Sequence, residues 1–462
     1  MTKPKKRVLG TSFVLMFGLI YSLFTMPENL SESMTMNYCS ILMTYIVLSG
    51  GVIYTINRFD FDIFEPILIL LVMFMAIFVL RPIQDIVNDD FLTFGVNPMG
   101  ACVKSNIIVC VSVIAFYIGY YRNFKVSQKL MPDTFEIDVD SIHEISSDYV
   151  FSALVIWTAS FLLSLVYLLT SGKSLSYILS FGSNGFISDD ASAGGAAALS
   201  FFNFSMIPAW LYIVTCGKNK IFKIFITALM LTVFIVRGTR IVLVVMLSSL
   251  ALYYYISRQK RPKIKTIFIC LIVMLVFMSV MQASRGSLRT GGEFDIEAYK
   301  EVAVTNVFDA DLTTYKQFYC IVNTYPSKAD YTMGAAIILQ TLITIIPRSI
   351  WPGKPEPVIY DVIINSVNER AARSGMASPG IGEYYFEFGV LGCIVCMFIL
   401  GCLFKRWKRL LWNKDIHSII RYSVLYGLAF QLIIRTSTPS CVYQYVFSVL
   451  PIFIIRKFVL NK

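Results

Sequence analysis

The chain has 462 residues, of which 56% are hydrophobic and only 15% are charged. Soluble domains carry about 25% charged residues, so this composition excludes an ordinary water-soluble enzyme, and it also excludes a disordered or fibrous chain. The formal net charge is +11. Because the basic residues lie in short segments between apolar runs, we attribute the charge to membrane topology rather than to nucleic-acid binding. The composition predicts an integral membrane protein with no nucleic acid among its partners.

Apolar runs close to the roughly 20 residues that cross a bilayer begin directly after the basic N-terminus. The first, at about 8–25, resembles a signal peptide but lacks a small-residue cleavage site, so we predict an uncleaved helix. Further runs follow at 36–56, 64–80, 101–121, 149–171, 196–216, 221–236, 241–256, 266–281, 380–404, 418–434 and 441–458. The sequence therefore predicts an all-α, polytopic membrane domain over 1–462 with about twelve transmembrane helices.

The distribution of basic residues predicts the orientation of these helices. With the N-terminus in the cytoplasm, the inside segments hold 24 Lys and Arg residues and the short outside segments hold six. This bias predicts that both termini are cytoplasmic. The segment 282–379, between the ninth and tenth runs, then forms one large outside loop. Within it, Gly334–Ile346 is apolar but too short to span, which predicts a re-entrant or interfacial segment, and Ile359–Arg373 has helical periodicity.

Several kinds of chemistry have no motif in the chain. The two histidines, His143 and His417, fall on the predicted cytoplasmic side, and Cys393 and Cys396 lie in an apolar run without a second cysteine pair. No P-loop, GxGxxG or HExxH motif occurs. We therefore predict neither a metal ion nor a cofactor.

The outside segments favour arginine, whereas the inside segments favour lysine. Arginine presents a planar fork of donors that fits phosphate and keeps its charge next to a low-dielectric site. An outside cluster of arginines therefore predicts an anionic ligand, with pyrophosphate as the candidate. The alternative, that these arginines pair with acids or reach lipid headgroups, stays open. The outside arginines are Arg81, Arg237, Arg240, Arg285, Arg289, Arg348, Arg370, Arg373 and Arg435.

Three short motifs carry the other candidate residues. Arg237-Gly238-Thr239-Arg240 predicts a tight turn with two cations at the membrane edge. The segment 346–355, IPRSIWPGKP, predicts a rigid turn that presents Arg348, Trp351 and Lys354. Either motif could instead be an interfacial anchor.

The third motif, 378–389, opens the tenth run. Its carboxylates, Glu383 and Glu387, are four residues apart and share a helix face. Glu383 lies beside Tyr384 and is the candidate to bind a sugar hydroxyl or to act as a base. Simple compensation of the helix dipole is the alternative.

Taken together, RGTR (237–240), SRGS (284–287), IPRSIWPGKP (346–355) and SPGIGEYYFEFGVLG (378–392) resemble the O-antigen polymerases of the Wzy group, which includes the enterobacterial common antigen polymerase. The resemblance covers about 196–440 and the general layout of the helices. It implies a glycosyltransferase that polymerises oligosaccharide repeat units in lipopolysaccharide biosynthesis, in the bacterial inner membrane, with the active site facing the periplasm.

The resemblance also implies the substrates and the roles of the residues. The growing undecaprenyl-diphosphate-linked glycan is the donor, a new lipid-linked repeat unit is the acceptor, and a chain-length regulator protein is a further candidate partner. Alternatives are an O-antigen ligase-type transferase and a lipid-linked oligosaccharide flippase or transporter. The candidate catalytic residues are Arg240, Arg285, Arg348 and Glu383, and the candidate substrate-binding residues are Arg237, Lys354, Trp351, Tyr384, Arg435, Arg370 and Arg373.

Overall fold

The described part of the chain is almost entirely helical. Apart from isolated positions, the computed structural model describes residues 3–24, 30–59, 64–122, 146–170, 199–237, 240–263, 312–346, 350–435 and 437–460. The first nine helices are α1 (Lys3–Phe24), α2 (Glu32–Phe59), α3 (Pro66–Met75), α4 (Arg81–Val87), α5 (Cys102–Tyr121), α6 (Ser146–Thr170), α7 (Phe202–Cys216), α8 (Lys220–Arg237) and α9 (Arg240–Ser257). The remaining helices are α10 (Thr314–Thr324), α11 (Gln340–Thr344), α12 (Val358–Ser366), α13 (Glu369–Arg373), α14 (Gly380–Leu410), α15 (Ile416–Ile434) and α16 (Thr438–Leu460).

Eleven of the twelve predicted spans coincide with described helices, and the ninth, 266–281, lies almost entirely outside the described residues. Helices α3 and α4 are continuous through a π-helical turn at Ala76–Leu80, so the third span is longer than predicted. Seven described helices are long and apolar enough to cross a membrane: Glu32–Asn57, Pro66–Val87, Pro98–Tyr121, Asp148–Tyr167, Gly380–Leu410, Ile416–Ile434 and Thr438–Phe458. The all-helical membrane architecture is thereby supported, while the count of twelve and the position of the termini stay predictions.

The large loop is folded against the helix ends where the structure describes it. The apolar segment Gly334–Ile346 forms a π-helical turn, Ala335–Leu339, that continues into α11. The periodic segment Ile359–Arg373 forms two helices rather than one, because the side chain of Asn368 accepts a hydrogen bond from the Ala371 N–H and begins α13. Val362 and Ile363 are buried, as the periodicity indicates.

The helix ends form two groups at opposite ends of the bundle. One end carries residues 88–97, the described part of 312–379, and residues 435, 437 and 438, and we call it the loop face. The other end carries residues 64–65, 217–219, 260–263 and 411–413, and we call it the basic face. Its basic residues include Arg122, Lys218, Lys220, Lys260, Arg261, Lys263, Lys405, Lys408 and Arg409.

Helices α5 and α14 approach each other closely because glycines lie at their crossing. A Cβ atom at Gly119 would lie 2.2 Å from the carbonyl oxygen of Phe398, and one at Gly401 would lie 2.3 Å from that of Phe116. Small residues allow two membrane helices to pack backbone against backbone. This contact holds in place α14, the helix that carries the third sequence motif.

A buried ion pair joins three helices at the basic face. The Lys408 ammonium lies 2.6 Å from Oε1 of Glu65, and both side chains are almost completely buried. The Tyr120 hydroxyl donates to the same carboxylate oxygen. These contacts link α5 and α14 to the start of α3. An isolated charge at this depth would be strongly unfavourable, so the two charged side chains must stay together.

We expect Gly401→Ala to destabilise the protein by about 1–3 kcal/mol, because the added methyl group must push the backbones of α5 and α14 apart. Thermal unfolding of the purified protein in detergent measures the effect. Gly50→Ala is the matched control, since Gly50 is also helical but a Cβ atom added there would meet no neighbouring atom within 4 Å. Equal stability of the two variants would contradict the close-packing account.

We expect Lys408→Met to cost about 3–5 kcal/mol of stability, because it leaves the buried Glu65 carboxylate without its cation. The double variant Glu65→Met/Lys408→Met removes both charges and should recover most of that loss. The same thermal unfolding measurement compares the three proteins. A double variant that is less stable than Lys408→Met alone would show that the two charges do not compensate each other.

Candidate functional site

The start of α14 is the centre of the loop face. Residues Gly380–Glu387 are all buried, and the helix is then interrupted at Phe388 and Gly389. Gly389 has φ +64° and ψ −151°, a conformation that disfavours any residue with a Cβ atom. The Tyr331 hydroxyl lies 2.8 Å from the position that such an atom would take. The break therefore lets the loop segment around Tyr331 pack directly against the backbone of α14.

Glu383 lies on this first section of α14 and is 4% exposed. The backbone N–H of Thr438 donates to both carboxylate oxygens, at 3.1 and 3.0 Å, and the Thr438 hydroxyl donates to Oε2 at 2.6 Å. Thr438 is the first residue of α16. The carboxylate therefore compensates the N-terminus of a neighbouring helix, not only that of its own.

Glu387 lies one helical turn further along and is completely buried. Its Oε1 accepts hydrogen bonds from the Thr332 hydroxyl at 2.5 Å and from the Ala336 N–H at 2.7 Å. Backbone hydrogen bonds from the N–H groups of Thr332 and Met333 to the carbonyl oxygens of Phe386 and Glu387 lie beside them. Among the described residues, none donates a hydrogen bond to Oε2 of Glu387.

The rigid turn after α11 is described only in part. The Lys354 ammonium donates to the carbonyl oxygens of Thr344 and Ile346, both at 3.0 Å, and so it closes the turn onto the end of α11. The side chain of Trp351 is 40% exposed. Arg348 lies outside the described residues. The structure thus places Lys354 and Trp351 on one turn at the loop face.

The other candidates divide between the core and the surface. Tyr384 is 7% exposed and packs in the core, and Arg435 follows the last turn of α15, three residues before Thr438. Arg370 and Arg373 are exposed on α13, where Arg373 pairs with Glu369 at 3.1 Å across two well-exposed side chains. Such exposed pairs contribute little to stability.

The first sequence motif is described only as backbone. Helix α8 ends at Arg237 and α9 begins at Arg240, as the predicted tight turn requires. The side chains of both arginines, and all of Arg285, lie outside the described residues. Their roles as ligands of an anionic substrate stay predictions.

A buried ionic cluster at the end of α4 was not predicted from the sequence. Asp85 lies 2.8 Å from Nε of Arg81 and 3.0 Å from the Lys316 ammonium, and it accepts a hydrogen bond from the Tyr315 hydroxyl at 2.5 Å. Burial, followed by the charge of Asp85, raises the pKa of Tyr315, so this hydroxyl remains a neutral donor. The spacing of Arg81 and Asp85, four residues apart in one helix, is the signal that could have indicated half of the cluster.

Helix α10 brings Lys316 and Tyr315 into the bundle. Ten of its eleven residues are buried although the helix is rich in polar side chains. The amide of Gln317 donates to the Ser366 hydroxyl, and the Tyr319 hydroxyl donates to Oδ1 of Asn106. Polar groups at such depth require partners, and α10 obtains them from helices distant in sequence.

Lys104 is a further cation at the loop face that the motifs did not include. It is exposed at the start of α5, and its ammonium lies 5.8 Å from the ring centre of Tyr385. Tyr385 in turn contacts Tyr331 edge to face. Burial, and then the neighbouring Tyr385, raise the pKa of Tyr331 to about 12. Among the described residues, no group of three or more His, Cys, Asp or Glu side chains is arranged to hold a metal ion.

The comparisons with known proteins extend the resemblance to nearly the whole chain. A profile of the family described as O-antigen polysaccharide polymerase Wzy matches residues 8–462. Comparison with curated proteins and with solved structures finds no match. The family resemblance that four short motifs indicated is confirmed, and it now includes the first five predicted spans, which the motifs did not cover. The chain belongs to the O-antigen polysaccharide polymerase Wzy family.

Proposed function

We propose that the protein polymerises undecaprenyl-diphosphate-linked oligosaccharide repeat units at the outer face of the bacterial inner membrane. The observation that carries this proposal is the family match over residues 8–462. The apolar helices and the excess of basic residues at one end of the bundle support it. By the positive-inside rule the basic face is cytoplasmic, so the loop face, with the candidate residues, is periplasmic.

In the proposed reaction, a terminal hydroxyl of the acceptor repeat unit attacks the anomeric carbon of the growing glycan. A new glycosidic bond forms, the bond from that carbon to the diphosphate breaks, and undecaprenyl diphosphate leaves. The hydroxyl proton passes to a base or to water. No nucleotide sugar and no cofactor are consumed, and the two lipid substrates enter from the bilayer. A chain-length regulator would act on this step as a separate partner.

The main energetic demand in this reaction is the negative charge of the leaving diphosphate. Preorganised arginines stabilise such charge in a site with little water. We assign this role to Arg240, Arg285 and Arg348, with Arg237, Arg370, Arg373 and Arg435 as further contacts to the substrates. Lys354 supports this assignment because it closes the turn that carries Arg348 onto α11.

Three roles were open for Glu383: to bind a sugar hydroxyl, to act as a base, or to compensate a helix dipole. The three hydrogen bonds from Thr438 occupy both carboxylate oxygens. This geometry favours positioning, because Glu383 holds the start of α16 three residues after Arg435. Trp351 and Tyr384 are the proposed apolar contacts, and the exposure of Trp351 suits a sugar or lipid surface better than the burial of Tyr384 does.

We expect cells that lack this chain to carry surface glycan of a single repeat unit, and complementation to restore the ladder of longer chains. Gel electrophoresis of the extracted glycan is the measurement. Trapped single units on the lipid carrier, with no surface glycan at all, would favour a flippase. A normal ladder that is absent only from the lipopolysaccharide core would favour a ligase.

We expect Arg240→Ala, Arg285→Ala and Arg348→Ala each to reduce polymer formation by about 10²- to 10³-fold, because each removes a donor to the leaving diphosphate. Synthesis from lipid-linked repeat units in membranes, normalised to protein amount, measures the rates. Arg258→Ala is the matched control, since Arg258 lies at the basic face and packs on Tyr254. Wild-type rates for all three variants would exclude the proposed diphosphate site.

A further inference from the structure

Glu387 connects the break in α14 to the loop segment that carries the rigid turn. Its Oε1 receives the Thr332 hydroxyl and the Ala336 N–H. Ala336 lies in the first turn of the helical segment Ala335–Thr344, where backbone N–H groups have no partner within the helix. The carboxylate therefore fixes the N-terminus of this segment to α14.

The C-terminus of the same segment is fixed by the rigid turn itself. Lys354 donates to the carbonyl oxygens of Thr344 and Ile346, which are the last acceptors of α11 and of the residues after it. The segment thus has an acidic group at its N-terminus and a basic group at its C-terminus, which suits the helix dipole at both ends. A shift of the N-terminus would be transmitted along the ten residues of this segment to Lys354.

We propose that Glu387 is a positioning residue that sets the location of Trp351 and Lys354. This inference rests on the proposed function for its effect on polymer synthesis, but the geometry that it concerns can be measured without any activity. The hydrogen bonds require an acceptor oxygen and do not require a proton to move. Glutamine at this position retains that oxygen, whereas alanine removes it.

Two measurements on Glu387→Ala and Glu387→Gln test the proposal. The first is the rate of polymer synthesis. The second is the labelling rate of Ala336→Cys by a membrane-impermeant maleimide, since Ala336 is 2% exposed while its segment is in place. Labelling of the parent chain, which retains the exposed Cys39, is subtracted.

For Glu387→Ala we expect labelling about tenfold faster than in the parent, because two buried hydrogen bonds are lost and the segment opens locally. Polymer synthesis should fall by about 10²-fold, the loss that a small displacement of catalytic groups causes. Glu387→Gln should stay within about threefold of the parent in both measurements, as two retained hydrogen bonds require. Thr332→Val, which removes one donor, should lie between the two.

Different results would overturn the proposal. Glu387→Gln that is as inactive as Glu387→Ala, with slow labelling, would assign the carboxylate itself to the chemistry, through the Oε2 atom to which no described residue donates. Slow labelling in Glu387→Ala would show that the segment is held by other contacts, such as the hydrogen bond from the Tyr443 hydroxyl to the Thr341 carbonyl oxygen. Tyr443→Phe is therefore the control, and we expect it to behave like the parent. If the proposed function itself were wrong, polymer synthesis would be absent from the parent while the labelling result still stood.

Discussion

Two carboxylates on one face of α14 organise the loop face. Each accepts hydrogen bonds at the N-terminus of a different helical segment: Glu383 at Thr438 and Glu387 at Ala336. A helix end inside a membrane protein leaves several N–H groups without partners, and a charged acceptor satisfies them at low cost because the helix dipole favours negative charge there. Both side chains are buried, so neither helical segment can move away from α14 without losing these hydrogen bonds.

Buried charged groups also hold helices together at the basic face and at the end of α4. Glu65 and Lys408 form a pair with almost no exposure, and Asp85 shares its oxygens between Arg81 and Lys316. Charges inside a membrane domain are unfavourable unless paired, so each site fixes which helices must meet. The buried ionic groups therefore specify which helices are neighbours. Apolar packing alone would not specify them, because an apolar side chain in a membrane can contact lipid almost as favourably as another helix.

The helices could be predicted from the sequence because each spanning run satisfies its own backbone, and length and hydropathy are local properties. The loop face could not be predicted in the same way. Tyr315 and Asp85 are 230 residues apart, and no local pattern encodes their contact. Helix α10 is rich in polar side chains and yet buried. Hydropathy predicts the opposite, because it assigns apolar segments to the interior and polar segments to the surface. Asn368 divides a continuous periodic pattern into two helices because its side chain competes for the backbone.

The contacts of the candidate residues could be predicted from the sequence only in part. The spacing of Glu383 and Glu387 placed them on one face, which the structure bears out, but their partners come from segments 332–336 and 438. The preference for outside arginine over lysine could not distinguish cations with structural partners from those available to a ligand. Arg81 is engaged by a buried aspartate and Arg373 by an exposed glutamate.

The distinction between cations with a structural partner and cations available to a ligand reduces the number of candidate residues for the diphosphate site. A cation that already neutralises a buried carboxylate cannot be transferred to a ligand without exposing that carboxylate, which costs several kcal/mol. Arg81 and Lys316 are therefore poor candidates, although they are cationic and lie at the loop face. The proposal therefore depends on the cations of the turns 237–240 and 346–355. Lys354, in the second turn, is linked through the helical segment Ala335–Thr344 to Glu387 and so to the interrupted helix at the centre of the loop face.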